Sequence, residues 1–237
     1  MTSAQYLKIS CFILTLLALA FFDLNLFVIS LIFGWFLSGI VSVLFHRKIS
    51  HRAFQYRNKF TEYISYLLMI MTGQGSPMAW TAIHRMHHAK TDTDEDPQSP
   101  HSVGKFKTFI SWYTLETVNP KIMIDVLRDK KIMYIHNHYN KLFLAYAVFL
   151  FAVNPLYCLY FAGVSVTICS VFVGIVNTWG HDDLTQSEVT YAKNIPLPAL
   201  YWGEGYHKTH HLMPTSTNLG PWDWGRWLIK LLAVSKS

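Results

Sequence analysis

The sequence predicts an all-α integral membrane protein, with four transmembrane helices and a cytoplasmic, His-rich helical cap, as a single domain over residues 1–237. Three observations predict it. The 237 residues are 51% apolar and only 14% charged, with positive mean hydropathy, too apolar and too poor in charge for a typical soluble domain. The apolar residues gather in two pairs of runs, at about 8–22 and 26–45 and again at 142–160 and 162–180. Lys and Arg avoid the segments that join the members of each pair. Fourteen of the 20 lie between His46 and Lys141, five lie after His181, and the other is Lys8. That asymmetry assigns the termini and both polar segments to the cytoplasmic side of a multi-pass protein.

The first run, "ISCFILTLLALAFF" at residues 9–22, is short for a span. It lacks the small-residue cleavage pattern of a signal peptide, and a second apolar run follows at once, so the two read as a hairpin turning at Asp23–Asn25. The second run, Leu26 to Phe45, is uncharged, long enough to cross a core of roughly 30 Å, and ends at His46. Residues 46–140 are polar and His-rich. Within them "TEYISYLLMIMTGQG" (61–75) predicts an amphipathic or partly embedded helix. The second hairpin consists of Leu142–Tyr160, with Asn154-Pro155 near its end, and Ala162–Gly180. The chain then turns polar and closes on "WDWGRWLIKLLAV", whose Trp and Leu spacing predicts a helix lying at the interface. Cys11, Cys158 and Cys169 fall in apolar runs with no C-x-x-C pair, which argues for small buried hydrophobes rather than disulfides or thiolate ligands. The net charge of +6 is concentrated in the polar segments and is no nucleic-acid signature.

Eight of the 12 histidines lie in three stretches: "HRKISH" (46–51), "HRMHH" (84–88) and "HKTHH" (207–211). On an α-helix, positions i, i+3 and i+4 fall within about 100° of one another, so each H-x-x-H-H should aim three imidazoles at one point. His46 and His51 are five apart, about 140° on an α-helix, and can share a site only if the helix ends near His46 and the chain turns. Asn177 and His181, four apart in "NTWGH", share a face at the end of the fourth span and reach the level of His46. One Asn and nine His thus converge, while His101, His136 and His138 read as hydrogen-bonded surface or interfacial residues. Unliganded, nine converging imidazoles would repel when protonated and leave acceptors unpaired when neutral. Metal is the reading, and nine ligands imply two ions. Imidazole alone suits zinc, copper, iron or nickel.

The boxes H-x-x-x-x-H, H-x-x-H-H and H-x-x-H-H, in this order on a four-span chain, resemble those of the membrane-bound fatty acyl desaturases. "HRKISHRAF", "HRMHHAKTDTDEDP", "NTWGH" and "WGEGYHKTHH" resemble the stearoyl-CoA desaturase-like branch, which introduces a double bond at carbon 9. The resemblance runs from about residue 25 to the C-terminus. It implies two iron ions (Fe2+/Fe3+) held by His46, His51, His84, His87, His88, His181, His207, His210 and His211, with Asn177 holding one iron through a water. It also implies a fatty acyl substrate, carried as acyl-CoA or acyl-lipid, and a cis double bond made with O2 and two electrons. Two stretches depart from the family pattern. Asp96-Pro97 is followed by Gln98 rather than His, and a stretch usually reading His-x-Gly-Trp is Phe109-Ile-Ser-Trp112.

Removing hydrogen from an unactivated methylene exceeds side-chain acid–base chemistry, so the protein must position the metals and the chain. Asp92, Asp94, Glu95, Asp96 and Glu204 are candidates to orient the imidazoles, Asp96 and Glu204 foremost because they stand nearest the boxes. Ser30, Gly34, Ser38, Ser42 and His46 recur every four residues and form a stripe of small side chains ending at a ligand. Such a stripe either packs helices closely or, through Gly34, Ser38 and Ser42, floors a tunnel for the acyl tail. No flavin, nicotinamide or haem fingerprint is present, which calls for an external electron donor such as ferredoxin or cytochrome b5, received on the basic surface. A membrane di-iron hydroxylase of lipids or alkanes would use similar boxes and differ in its product. A metal transporter would need polar residues inside the spans, which these runs lack.

Overall fold

The computed structural model describes residues 2–112, 118–181 and 192–234, so the two chain termini lie outside the described residues. It is helical throughout, and among the described residues the only β pairing is one isolated bridge between Tyr56 and Ala233. Helix α1 (Ser3–Ala20) and helix α2 (Leu24–Ser50) form the first hairpin. Asp23 closes it by accepting the Leu26 N–H at 2.9 Å, as an N-cap carboxylate does for an orphan amide. The buried hydroxyl of Tyr160 accepts the Asp23 N–H at 2.7 Å and donates to the carbonyls at the end of α1.

Helix α3 (Lys59–Met71) starts on an Asn58 cap, buries Tyr66, Met69 and Ile70, and exposes Phe60, Tyr63 and Leu67. That division fits the expected partly embedded helix. Helix α4 (Pro77–Lys90) starts on Ser76 with Pro77 at its first position, where the missing N–H costs nothing. The short α5 (Lys105–Phe109) and α6 (Ile124–Arg128) lead to α7 (Lys130–Val153) and α8 (Pro155–Trp179). Helices α9 (His207–Leu212) and α10 (Gly225–Leu232) complete the chain.

Small residues let the apolar helices approach. A Cβ on Gly34 of α2 would lie 2.6 Å from the Ser165 carbonyl of α8, and one on Gly163 of α8 would lie 2.8 Å from Leu14 of α1. Hydroxyls bridge the same contacts: Ser165 donates to the Ser30 carbonyl at 2.9 Å, and Thr15 meets Thr167 at 2.8 Å.

The second hairpin differs from the expected one. Among the described residues, three helices are long and apolar enough to cross a membrane: Ser3–Ala20, Leu24–Ser50 and Pro155–Trp179. The break falls at Asn154-Pro155 rather than after Tyr160, because Asn154 caps the Leu156 N–H at 2.9 Å and Pro155 opens α8. Tyr160 and Ala162 therefore lie in one helix. Only the stretch 142–153 of the expected third span remains in α7, whose first half carries Lys130, Lys131, His136, His138 and Lys141.

Candidate metal centre

The cap brings all nine predicted histidines together, but not box by box. His46, His51, His84, His88 and His210 form one group, and His87, His181, His207 and His211 form the other, with the potential ligand atoms of each group within 4.8 Å of one another. Each H-x-x-H-H is divided. Positions i and i+4 are about 40° apart on a helix, while i+3 lies about 60° away on the other side. His84 and His88 thus turn to the first group and His87 to the second. His207 and His211 turn to the second and His210 to the first. The expectation that each box serves one point is corrected: the 100° spread straddles two.

The first box also reaches the site differently from expectation. Helix α2 does not end near His46. From Val41 to Ser50 it continues as a π-helix, with His51 capping it and donating its N–H to the His46 carbonyl at 3.1 Å. A π-helix closes i→i+5 bonds, so residues five apart stack where an α-helix would separate them by about 140°.

Within each group the Nε2 atoms face one another. His210 Nε2 is 2.9 Å from both His46 Nε2 and His88 Nε2, and His51 Nε2 is 2.8 Å from His84 Nε2. In the second group, His207 Nε2 is 2.8 Å from His181 Nε2 and 3.3 Å from His211 Nε2, and the His211–His87 separation is 3.4 Å. Metal–nitrogen bonds of about 2.0–2.1 Å, set at right angles or tetrahedrally, separate neighbouring donors by about 2.9–3.4 Å. The spacing fits coordination.

Carboxylates decide which nitrogen faces inward. His46 Nδ1 pairs with Glu204 Oε2 at 2.8 Å, His87 Nδ1 with Asp96 Oδ2 at 2.7 Å, and His181 Nδ1 with Asp92 Oδ2 at 3.0 Å. An Nδ1–H given to a carboxylate leaves Nε2 as a lone pair. Several such lone pairs meeting at one point suit a cation and cannot satisfy each other. Burial, then the neighbouring imidazoles, holds His84, His207, His210 and His211 well below the ordinary imidazole range. They stand neutral at pH 7 and have no proton to shed on binding a metal.

Two scaffolds carry these carboxylates. Asp96 lies in the loop after α4 and accepts the backbone N–H groups of Asp92, Gln98 and Ser99 at 2.8, 2.9 and 3.2 Å. Asp92 takes positive φ at the end of α4 and accepts the Ser99 hydroxyl at 2.7 Å. Glu204 instead belongs to a buried ion network. Arg47, 0% exposed, donates to Glu204 Oε1 at 3.1 Å, to Asp223 Oδ2 at 2.7 Å and to the Trp202 carbonyl at 2.9 Å. Ser42 adds a hydrogen bond to Glu204 Oε1 at 2.6 Å. Burial opposes the charge on Glu204, yet His46 and Arg47 hold its carboxyl below the usual range. Gly203 has φ +90, and a Cβ there would run into Asp223, so the turn that presents Glu204 needs glycine.

Of the carboxylates singled out in the sequence, Asp92, Asp96 and Glu204 touch imidazoles of the two groups. Asp94 is exposed, and Glu95 pairs at the surface with Lys90 at 3.0 Å. His101, read as a surface residue, meets the His181 carbonyl at 2.6 Å, and His136 meets the Ser76 hydroxyl at 2.6 Å. Arg47 and Asp223 went unread. Their signal was a charge at the buried end of an apolar run, which in a membrane protein requires a partner.

A narrow cavity reaches the imidazoles between α2 and α8. Ser38, Ser42 and Asn177 line it together with His46, His84 and His207. Asn177 Nδ2 is buried, with no hydrogen-bond partner among the described residues. The small-residue stripe therefore divides: Gly34 packs against α8, whereas Ser38 and Ser42 face the cavity.

Comparison with known proteins follows this geometry. The family model described as fatty acid desaturase matches residues 24–218. The sn-1 stearoyl-lipid 9-desaturase of Anabaena variabilis is 27% identical over 209 residues, covering 81% of this chain and 73% of that protein. The protein of the same name from Synechocystis sp. is 30% identical over 189 residues, covering 76% of this chain and 58% of its own length. The palmitoyl-monogalactosyldiacylglycerol delta-7 desaturase of Arabidopsis thaliana is 28% identical over 216 residues, covering 85% and 57%. The chain thus spans little more than half the length of the latter two.

Proposed function

The chain belongs to the fatty acid desaturase family, and from that premise we propose that it forms a cis double bond at carbon 9 of a long-chain acyl group, using O2 and two external electrons. The observation that carries the reading is the sorting of nine Nε2 atoms into two facing groups, backed by carboxylates on three Nδ1 atoms. Two bound irons would supply oxygen activation and removal of hydrogen from an unactivated methylene, chemistry that no side chain provides.

The chain's own residues supply the rest. His46, His51, His84, His88 and His210 hold one iron, and His87, His181, His207 and His211 hold the other. Glu204, Asp96 and Asp92 fix ring orientation and raise ligand basicity. Asn177, which lines the cavity with His46, His84 and His207 and has an unused buried amide, would hold one iron through a water. Val41, Phe172, Val173 and Val176 keep the reacting methylenes out of bulk water, and Ser38 and Ser42 leave room for the chain between α2 and α8.

The substrate proposed is an acyl-lipid, the class named in the Anabaena and Synechocystis relatives, and the donor is ferredoxin or cytochrome b5. The topology proposed has four crossings with the site on the cytoplasmic side. Helix α7 supports the fourth: its apolar second half, about 18 Å long at 1.5 Å per residue, exposes Leu144, Val148, Phe149 and Phe151. The concentration of Lys and Arg in the polar segments supports the orientation.

Gas chromatography of fatty acids from an expressing host, with the double bond located by mass spectrometry, tests the reading. New 9-monoenes are expected. Hydroxylated chains, or an unchanged profile from protein that carries iron, would overturn it.

A further inference from the structure

The exposed apolar surface of α2 stops part-way along the helix. Leu24, Val28, Ile29 and Ile32 are exposed, and no α2 residue after Ile32 is. Trp35 stands at that edge, and later parts of the chain cover it. Trp202 stacks on it with ring centroids 4.5 Å apart and donates its indole N–H to the Trp35 carbonyl at 2.9 Å, while Trp224 meets it edge-on at 5.6 Å. The Trp35 indole in turn donates to the Leu200 carbonyl at 2.9 Å. Tryptophans gather where a membrane meets water, so this trio marks the level at which α2 leaves the bilayer. Helix α10 starts from the same trio. Trp224, Trp227 and Leu231 fall within about 60° of one another on a helix and are exposed, as are Trp222 and Val234 beside them. Gly225, Ile229 and Leu232 face the other way and are buried.

Cations border this apolar face. Lys230 Nζ lies 4.1 Å from the centre of the Trp227 ring, and the Arg226 guanidinium lies 5.1 Å from it. Arg57 closes the far end of α10 by donating to the carbonyls of Lys230 and Ala233 at 2.6 and 3.2 Å. Among the described residues none of these three cations pairs with a carboxylate, and Arg226 Nε is buried without a hydrogen-bond partner. Glu204 and Asp223, the two carboxylates between residues 192 and 234, are buried and taken by Arg47. A helix with Trp and Leu on one side and cations along the border suits a lipid surface, and unpaired positive charge selects the sign of the headgroups. We propose that α10 is an in-plane anchor. Its Trp224–Leu231 face sinks into the cytoplasmic leaflet at the level of Trp35, and Arg57, Arg226 and Lys230 bind anionic lipid headgroups. The proposal takes α2 as a membrane span and does not depend on the reaction. Asp223 lies between Trp222 and Trp224, so the anchored turn is also the one that holds Arg47.

The test uses the full chain in lipid nanodiscs, with a thiol-linked fluorophore on Leu231→Cys. The native Cys11, Cys158 and Cys169 are buried. Doxyl-labelled lipid should quench the fluorophore. Iodide in the water should quench it about five-fold less than the same fluorophore on Asp94→Cys, an exposed loop position, because an interfacial helix sinks its apolar face about 5–10 Å. Lipid choice is read by native mass spectrometry from an equal mixture of phosphatidylglycerol and phosphatidylcholine. The wild-type chain should retain the anionic lipid in preference. Lys230→Gln and Arg226→Gln should each lower that preference about five-fold, the scale of one cation at an anionic surface. Either variant serves if the other fails to accumulate. Equal iodide access at positions 231 and 94 would overturn the anchor, and a lipid preference unchanged by either variant would overturn the headgroup site. Iodide access at 231 that falls only when an acidic electron-donor protein is added would assign the face to that protein instead.

Discussion

The five-histidine and four-histidine groups are oriented by the same chemistry built on different supports. In the first, His46 is aimed by Glu204, and Glu204 is clamped by Arg47, Ser42 and, through Arg47, Asp223. These side chains are buried and come from positions as far apart as 42 and 223. In the second, His87 and His181 are aimed by Asp96 and Asp92, four residues apart in one loop and held mainly by local backbone amides and a hydroxyl. A loop carboxylate satisfied by amides is a local device. A buried ion network is a global one, because each charge taken from water depends on partners elsewhere in the chain. The first network holds Glu204 and Asp223 against the single cation Arg47 and so keeps one net negative charge beside its imidazoles, a field that favours a bound cation. The contrast teaches that one histidine group is tied to the stability of the whole fold and the other to the conformation of a short loop.

The strongest challenge to that contrast removes one ligand from each group. His84→Ala and His87→Ala should each abolish double-bond formation, and each should reduce iron from about two per chain to about one, because each breaks only its own set of ligands. Metal analysis of purified protein checks this, and loss of both irons from either variant would make the two groups a single unit. Next in size is Arg47→Met. Leaving Glu204 and Asp223 buried without their cation should destabilise the protein by about 3–5 kcal/mol, read as a large drop in melting temperature in detergent. A change under about 1 kcal/mol would show that the network is not what couples the first group to the fold.

Asp96→Asn should act on metal rather than on folding. Loss of the carboxylate behind His87 is expected to weaken iron binding at the second group about 10–100-fold, measured by retitrating chelator-stripped protein. An equal loss at both groups would erase the distinction between the scaffolds. The smallest effect belongs to Asn177→Ala. Removing one hydrogen bond through water, worth about 1 kcal/mol, should lower turnover roughly five-fold while both irons stay bound. Wild-type turnover would remove Asn177 from the site.

The residues of the site were more legible in the sequence than their arrangement. Histidine spacing marks positions directly, and all nine converge. The division of each H-x-x-H-H is implicit in the same angles, because a 100° spread is wide enough to span two targets. The Asn154-Pro155 break was also present, as a cap residue followed by a helix-opening proline. Hydropathy overrode it, since apolar residues stand on both sides. Arg47 and Asp223 could not be paired from sequence, because 176 positions separate them and only the packed fold brings their charges together.

The widened helix at Val41–Ser50 sets a phase. Everything before it on α2 is timed against α8 by α-helical steps, and everything after it is timed against α4 by longer ones. Deleting one residue between His46 and His51 would not merely shorten the segment. It would restore ordinary winding, in which residues four apart stand about 40° from each other, so the two rings would keep one side of the helix while the segment lost the longer steps that time it against α4. The five-residue interval between these two histidines is thus a mark of the widened helix, and a search template written in three- and four-residue steps will pass over it.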